Sequence, residues 1–320
     1  MFTNIKSVYV LRFIIKEHLR KKSYFKLAQY NKTLQKKLEI NLKTYKEDYK
    51  RRYNRIELEL IPISKLVPDK NYFFIRIREK KDYYHIYFND DKNNEIKRSY
   101  LTYKDNINKI TIKLDMEIRS LAGLFTDCTV IKEIKFTKFN RENFNDLNGV
   151  FYGCTFLDKL DIIKFKTSNV KNMNWMFAKC ESIKELNILI HEINIIINML
   201  NFDTSKVTEM MCLFSGCYFL KELKFNFNTK NVTNMRNMFY KCKSLTELDV
   251  SNFDTTKVKF FNEMFYECIN LNSLNLTNFK LVNKFPNVVR MFGGCNEALE
   301  KYIRTHFKIF DIQEAFETLQ

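Results

Sequence analysis

The sequence predicts an α/β solenoid of about six 26-residue coils, preceded by a helical segment and a small antiparallel β region. Three observations predict it. The phrase Phe-x-x-Cys recurs at nearly constant spacing, a short strand pattern follows most of these cysteines, and 45% of the 320 residues are apolar, enough for a continuous core. The seven copies end at the ladder cysteines, Cys128, Cys154, Cys180, Cys217, Cys242, Cys268 and Cys295, which are 26, 26, 37, 25, 26 and 27 residues apart.

Each repeat combines a strand pattern with a helix pattern. Between Cys242 and Cys268, the segment Leu245-x-x-Leu248-x-Val250 ends in an alternation, which is typical of a strand with one buried face. A helical stripe is predicted at Val258, Phe261, Met264 and Phe265. One strand and one short helix per repeat describe a leucine-rich repeat coil, and such coils must stack because none can bury its apolar face alone.

Two segments carry a family resemblance. Asn201–Val207 (NFDTSKV) and Asn252–Val258 (NFDTTKV) match the signature NFDTSxVxxMxxMFxxC. Together with the recurring Cys-x-x-Leu-x-x-Leu, they resemble the BspA-type leucine-rich repeats, also described as the DUF285 family, over residues 118–296. The resemblance implies a solenoid that works through protein binding, as members on bacterial surfaces and in protists are thought to do.

The first 55 residues form a basic head. Residues 1–60 hold 16 Lys and Arg against 6 Asp and Glu, and apolar residues at helical spacing predict two or three helices. The segment weakly resembles an F-box, with Asn31-Lys32 near the expected third helix, but it lacks the usual Leu-Pro opening and Trp. The alternatives are a helical cap and a basic docking arm. A solvated Lys-rich face is the preferred interpretation of the charge.

Residues 56–117 predict a β-rich cap on the N-terminal end of the solenoid. Four segments alternate or are rich in β-branched and aromatic residues, namely 56–61, 72–77, 83–88 and 107–114. Residues 89–94, with the sequence NDDKNN, predict a hairpin turn.

The solenoid is predicted over 118–296 and carries one insertion. The coil between Cys180 and Cys217 is 11 residues too long, and we expect a projecting loop near 189–201 because the strand Ile183-x-x-Leu186-x-Ile188 reads as intact. Residues 297–320 follow as a C-terminal cap, in which Glu297–Phe307 predicts an amphipathic helix over the open end.

No constellation of residues predicts catalysis. The ladder cysteines lack the pairs two to four residues apart that zinc sites use, so we expect a reduced, buried ladder of small apolar side chains. The four histidines, His18, His85, His191 and His306, are far apart, and no triad or phosphate-binding loop is present. The sequence therefore predicts no metal, no cofactor and no enzyme.

The composition also bounds location and partners. No signal peptide or membrane-spanning segment is evident, and we expect a cytoplasmic protein. Of the net charge of +17, residues 120–320 carry only +3, and charges of both signs alternate along their strands, so nucleic acid is an unlikely partner.

The predicted activity is that of a non-enzymatic scaffold which binds a protein partner. Outward positions on the predicted strands supply the candidate binding residues, Glu133, Lys135, Lys159, Asp161, Glu185, Glu222, Lys224, Glu247 and Asp249. The alternative is a substrate adaptor whose F-box-like head docks the core of a ubiquitin ligase.

Overall fold

The computed structural model describes residues 50, 53–68, 70–141, 143–162, 164–183, 197–198, 202–281, 287–308 and 313–318. The chain divides into two compact units, Met1–Asn54 and Arg55–Gln320. Nearly all of the predicted basic head lies outside the described residues. No helix within the described part of the chain is both long and apolar enough to cross a bilayer.

A five-stranded sheet begins the second unit. Its strands are β1 (Ile56–Pro62), β3 (Tyr84–Phe88), β5 (Ile110–Leu114), β6 (Ile131–Lys138) and β7 (Lys159–Asp161), in the order β3-β5-β1-β6-β7. The pairings up to β6 are antiparallel, and β6 pairs with β7 in parallel. Alternating apolar residues explain β1, β3 and β5, because every second side chain in each of these strands is buried.

Two shorter features complete the N-terminal region. The predicted hairpin turn follows β3, with positive φ at Asn89 (50°) and Asp90 (64°). The predicted strand over 72–77 pairs only through β2 (Tyr72–Phe73), which lies antiparallel to β4 (Tyr100–Leu101). Beyond β2 the chain turns to the first repeat, where the backbone N–H of Arg76 donates to the carbonyl of Leu124.

The predicted α/β solenoid with a helix in every coil is wrong. None of the described residues of 118–296 forms an α-helix, and the segment that ends at each ladder cysteine is a series of turns, which we call the turn strip. The described strands are short and lie in one mixed five-stranded sheet and three two-stranded sheets rather than in one continuous parallel sheet. The helical segment predicted ahead of the solenoid is not shown either, because nearly all of it falls outside the described residues.

The backbone conformation of the turn strip explains the missing helices. The residues five and one positions before each ladder cysteine have φ between 52° and 72°, which an α-helix does not allow. Glu263 and Glu267 take these places before Cys268. A left-handed residue at every fourth position breaks a right-handed helix, while the apolar spacing of three and four residues still turns the same side chains inward.

Hydrogen bonds between successive repeats replace those of the expected helices. The N–H groups of Phe261, Glu263 and Phe265 donate to carbonyls of the next repeat at 2.8, 3.0 and 2.8 Å. The intervening N–H of Met264 closes a turn on the carbonyl of Phe261 at 3.0 Å. Parallel bridges continue the same stacking through Asp146, Asn172, Glu209, Asn234, Phe260 and Asn287.

The repeat strands pair in parallel where they are described. Strands β8 (Ile197–Asn198) and β9 (Leu223–Lys224) form one pair, and β10 (Glu247–Asp249) and β11 (Ser273–Asn275) form another. The second leucine of each Cys-x-x-Leu-x-x-Leu segment belongs to a leucine row: Leu160, Leu223, Leu248 and Leu274 are all buried, whereas Leu186 lies outside the described residues.

The long repeat is described only in part. Ile197 lies opposite Leu223, and it precedes Phe202 by five residues, as Leu248 precedes Phe253. Most of the predicted loop near 189–201 lies outside the described residues, so that loop stays a prediction.

A helix and a short tail segment follow the last repeat. Helix α1 spans Glu297–His306 and is capped by Asn296, whose side chain accepts from the N–H of Leu299 at 2.9 Å. This is the helix that the amphipathic pattern predicted. Phe316 stacks on Phe292 at 5.4 Å between ring centroids, and the Arg304 guanidinium covers the Phe316 ring at 3.8 Å.

Candidate functional site: the outward strand face

The outward residues that flank the buried leucine row form the strand face. Where β6 and β7 pair, Glu133 lies opposite Lys159 and Lys135 lies opposite Asp161, while Ile134 and Leu160 between them are buried. Four of the predicted binding residues are thus brought together on two adjacent strands. The alternation of the strand causes this arrangement, because neighbouring side chains point to opposite faces.

Charges of opposite sign meet on this face. The ammonium of Lys159 lies 3.2 Å from a carboxylate oxygen of Glu133, and that of Lys224 lies 3.0 Å from Glu222. Both lysine side chains are about 60% exposed, so these pairs are well solvated and each contributes about 0–1 kcal/mol to stability. A partner can therefore replace them with its own charges at little cost.

The later repeats supply the acidic part of the face. Glu247 and Asp249 are exposed on β10, opposite Ser273 and Asn275 of β11. One oxygen of Asp249 accepts a hydrogen bond from the N–H of Ser251 at 2.9 Å, which holds this carboxylate at the end of its strand. Glu185, the remaining predicted binding residue, lies outside the described residues.

The antiparallel strands extend the face beyond the predicted residues. Glu59 of β1 lies opposite Lys135, and its carboxylate is 2.9 Å from the ammonium of Lys109. The alternation of β1 was visible in the sequence. Its pairing with β6 was not, because no local pattern specifies which strand becomes the neighbour.

Two exposed aromatic residues flank the strands. Phe156 and Phe219 each follow a ladder cysteine by two residues and are 51% and 53% exposed. They precede β7 and β9, at the corner where the turn strip leads into the strand. An exposed phenylalanine beside a charged row is a typical anchor at protein interfaces. The signal in the sequence was an apolar residue at a position where three other repeats have Ser182, Ser244 and Asn270.

The ladder cysteines are structural. The thiols of Cys154, Cys242 and Cys268 donate to the carbonyls of Phe125, Phe214 and Phe239 in the preceding repeat at 3.1–3.2 Å. The same bond recurs at the other ladder cysteines after the first, namely Cys180, Cys217 and Cys295.

Burial raises the pKa of every ladder thiol, to about 12 for Cys154 and Cys217. These cysteines therefore stay protonated and unreactive at neutral pH. The described residues also include no group of three or more His, Cys, Asp or Glu side chains placed to bind a metal ion.

Phenylalanines stack beside the cysteines. Phe125, Phe151, Phe177, Phe214, Phe239, Phe265 and Phe292 form a continuous column with centroids 5.6–5.8 Å apart and ring planes within 12° of parallel. Each repeat thus contacts its neighbour through one stacked phenylalanine ring, one cysteine thiol and a row of backbone hydrogen bonds. These features define a protein of stacked repeats that share one ring and one thiol position.

The family of the chain follows from its repeats. The model of the family described as "Mycoplasma protein of unknown function, DUF285" matches residues 119–200 and 185–305. The chain belongs to this DUF285 family. No curated protein and no solved structure matches the chain.

Proposed function

We propose that the chain is a non-enzymatic scaffold that binds a protein partner on its outward strand face. The observation that carries the proposal is the combination of paired opposite charges with exposed Phe156 and Phe219 at the ends of the same strands. Aromatic anchors supply contact area, and mixed charges orient a partner and exclude others.

The electrostatics favour a protein over a nucleic acid on this face. A phosphate backbone binds where cations dominate, and its affinity falls steeply with salt. Here Lys135, Lys159 and Lys224 are matched by acids on the same or the neighbouring strand, and β10 adds two acids. A protein partner with its own charges of both signs fits this pattern and binds with a modest dependence on salt.

The experiment uses a charge reversal on the later strands. Partners are captured with the full chain from its own cells, and binding is then measured with the triple variant Glu222→Lys, Glu247→Lys and Asp249→Lys. We expect at least tenfold weaker binding of a direct partner. The matched control reverses three exposed acids away from the strand face, Asp82, Glu314 and Glu317.

A second pair of variants tests the aromatic anchors. Phe156→Ala and Phe219→Ala remove exposed side chains, so folding is expected to be unchanged while binding weakens. The proposal fails if every captured partner binds the charge-reversed and the aromatic variants as tightly as it binds the control.

A further inference from the structure

A cavity of about 720 Å³ lies between the β2–β4 pair and the first repeat. Its walls come from three places: the segment from Phe73 to Lys81, the strand region from Lys97 to Tyr100, and Thr126 and Asp127 of the first turn strip. The volume is in the range of sites that take small molecules, about 300–1,000 Å³. The outward strand face does not include this cavity.

The walls are strongly cationic. Five cationic side chains, Arg76, Arg78, Lys81, Lys97 and Arg98, line the cavity together with one carboxylate, that of Asp127. A Cβ atom at Gly153 would lie 2.3 Å from an oxygen of Asp127, so this carboxylate packs against the backbone of the second repeat. An anion is the ligand that such walls favour.

Three of the cations have structural partners. The guanidinium of Arg98 is clamped by both carboxylate oxygens of Asp105 at 2.5 and 2.7 Å, which lowers the pKa of Asp105 to about 2. Lys97 lies 2.7 Å from Glu95. Arg76 donates from Nε to the carbonyl of Thr126 at 2.6 Å and so provides a hydrogen-bond donor for a backbone carbonyl of the first turn strip.

Arg78 and Lys81 are different. In the part of the chain that the structure describes, neither side chain makes a hydrogen bond or an ion pair. The Arg78 guanidinium is nevertheless held in place, because it packs on Gly123, where an added Cβ would lie 2.2 Å from its Nη2 atom. Among the described residues, these two cations at one cavity wall have no partner and are available for a ligand.

Aromatic rings complete the cavity. Phe73 and Tyr100 lie opposite each other across the β2–β4 pair, and their rings meet edge to face at 6.1 Å between centroids. Arg76 covers one side of the Phe73 ring at 4.4 Å. Phe73 is 37% exposed, so part of its surface remains open to a planar group.

We propose that this cavity binds a nucleoside polyphosphate. Arg78 and Lys81 take the phosphate groups, because a guanidinium fork and an ammonium both donate to phosphate oxygens. The base packs against Phe73 and Tyr100, since stacking on an aromatic side chain tolerates any base. The proposal is independent of the protein-binding function assigned to the outward strand face.

The test is calorimetric titration of the full chain with ATP, pyrophosphate and adenosine. We expect ATP to bind, pyrophosphate to bind about tenfold more weakly, and adenosine to bind below detection. In the double variant Arg78→Ala and Lys81→Ala, ATP affinity falls at least tenfold. Both side chains are exposed, so the fold is retained, and circular dichroism checks this.

Two controls separate a built site from general attraction to a chain of net charge +17. The double variant Lys92→Ala and Lys104→Ala removes the same charge from exposed positions outside the cavity and is expected to bind ATP normally. Phe73→Leu should lower the affinity for ATP to that for pyrophosphate and leave the affinity for pyrophosphate unchanged.

Three results overturn the proposal. The first is that ATP binding is undetected at millimolar concentration. The second is that the double variant at Lys92 and Lys104 loses as much ATP affinity as the double variant at Arg78 and Lys81. The third is that a hexaglutamate peptide binds as tightly as ATP. The last result would assign the cavity to acidic peptides instead.

Discussion

The thiol of each ladder cysteine after the first points at a backbone carbonyl of the preceding repeat. This contact uses the small size of cysteine and its weak S–H donor, and it leaves no room for chemistry at the sulfur. The Phe-x-x-Cys phrase therefore encodes a joint between repeats: the ring stacks on the neighbouring ring, and the thiol bonds to the carbonyl of the phenylalanine that precedes it in the stack.

Thiol labelling tests the buried ladder. Six ladder cysteines are fully buried with raised pKa values, so a thiol reagent should react with them at least about a hundredfold more slowly in the native protein than in denaturant. Cys295 is partly exposed and should react first. Cys295→Ser is the control, because it should remove that early phase alone. Rapid native labelling of most cysteines would contradict the ladder.

His85 makes stability depend on pH. Its two ring nitrogens lie 3.1 Å from Asp115 and Glu95, and the hydrogen bond to Asp115, followed by that to Glu95, raises the pKa of His85 above its ordinary 6.5. Arg55 binds the other oxygen of Asp115 at 2.7 Å, and Lys113 lies opposite His85 on β5. Because the pKa of His85 is higher in the folded than in the unfolded protein, protonated His85 stabilises the fold. This stabilisation is fully present below pH 6.5 and disappears as the pH rises through the folded-state pKa.

We therefore expect His85→Gln to lower the free energy of unfolding by about 1 kcal/mol at pH 5.5 and by much less at pH 8.5. The measurement is urea unfolding at both pH values. His306 is exposed in the last turn of α1, and His306→Gln serves as the matched control. An equal loss at both pH values would show that His85 acts through packing alone.

At the scale of the element, the turn strip is the feature that the sequence pattern described incorrectly. Apolar residues at Val258, Phe261, Met264 and Phe265 have helical spacing, and all four are buried as a helix would bury them. Consecutive turns with a left-handed residue at every fourth position bury the same set. Periodicity alone cannot separate the two.

A weaker signal for the turns was present. Glycine occupies five of the left-handed places, at Gly123, Gly149, Gly153, Gly216 and Gly294, but other residues, among them Trp, Lys, Glu and Arg, occupy the remaining places and hide the pattern. The strand face was predictable because alternation determines which side chains point outward. Its extension onto β1 and the position of Ile197 opposite Leu223 depend on pairing between distant segments, which local sequence does not specify.

Leu248 tests the strand half of the repeat. Its side chain is 3% exposed and lies opposite buried Leu274, so Leu248→Ala should lower the free energy of unfolding by about 2–5 kcal/mol. The neighbouring exposed change Glu247→Ala should cost less than about 0.5 kcal/mol. Equal effects of the two changes in chemical denaturation would refute the assignment of the buried and exposed sides.

Gly293 tests the contact between the last turn strip and the tail. A Cβ atom there would lie 2.0 Å from the backbone carbonyl oxygen of Glu317 and 3.0 Å from the Tyr266 ring. Because a backbone atom cannot move aside as a flexible side chain does, Gly293→Ala should cost about 1–3 kcal/mol. Ser273→Ala, at an exposed strand position, is the control. An unchanged melting temperature for Gly293→Ala would mean that the tail does not pack on the last repeat.

At the scale of the molecule, one strand joins the antiparallel part of the five-stranded sheet to its parallel part. Strand β6 pairs antiparallel with β1 on one edge and parallel with β7 on the other, so the N-terminal strands continue the first repeats without a break. The buried apolar residues form one cluster from Ile56 to Phe316. The second unit, Arg55–Gln320, thus has a core of its own.

The fragment 55–320 should therefore fold without the first 54 residues. We expect its unfolding to be cooperative, with a midpoint within about 3 °C of that of the full chain, because its described apolar residues already form one buried cluster. A fragment that starts at Leu66 is the matched control: it lacks β1, which leaves β5 and β6 without their shared neighbour, and it should not fold. Calorimetry measures both, and a fragment 55–320 without a cooperative transition would show that the basic head is part of the same folding unit.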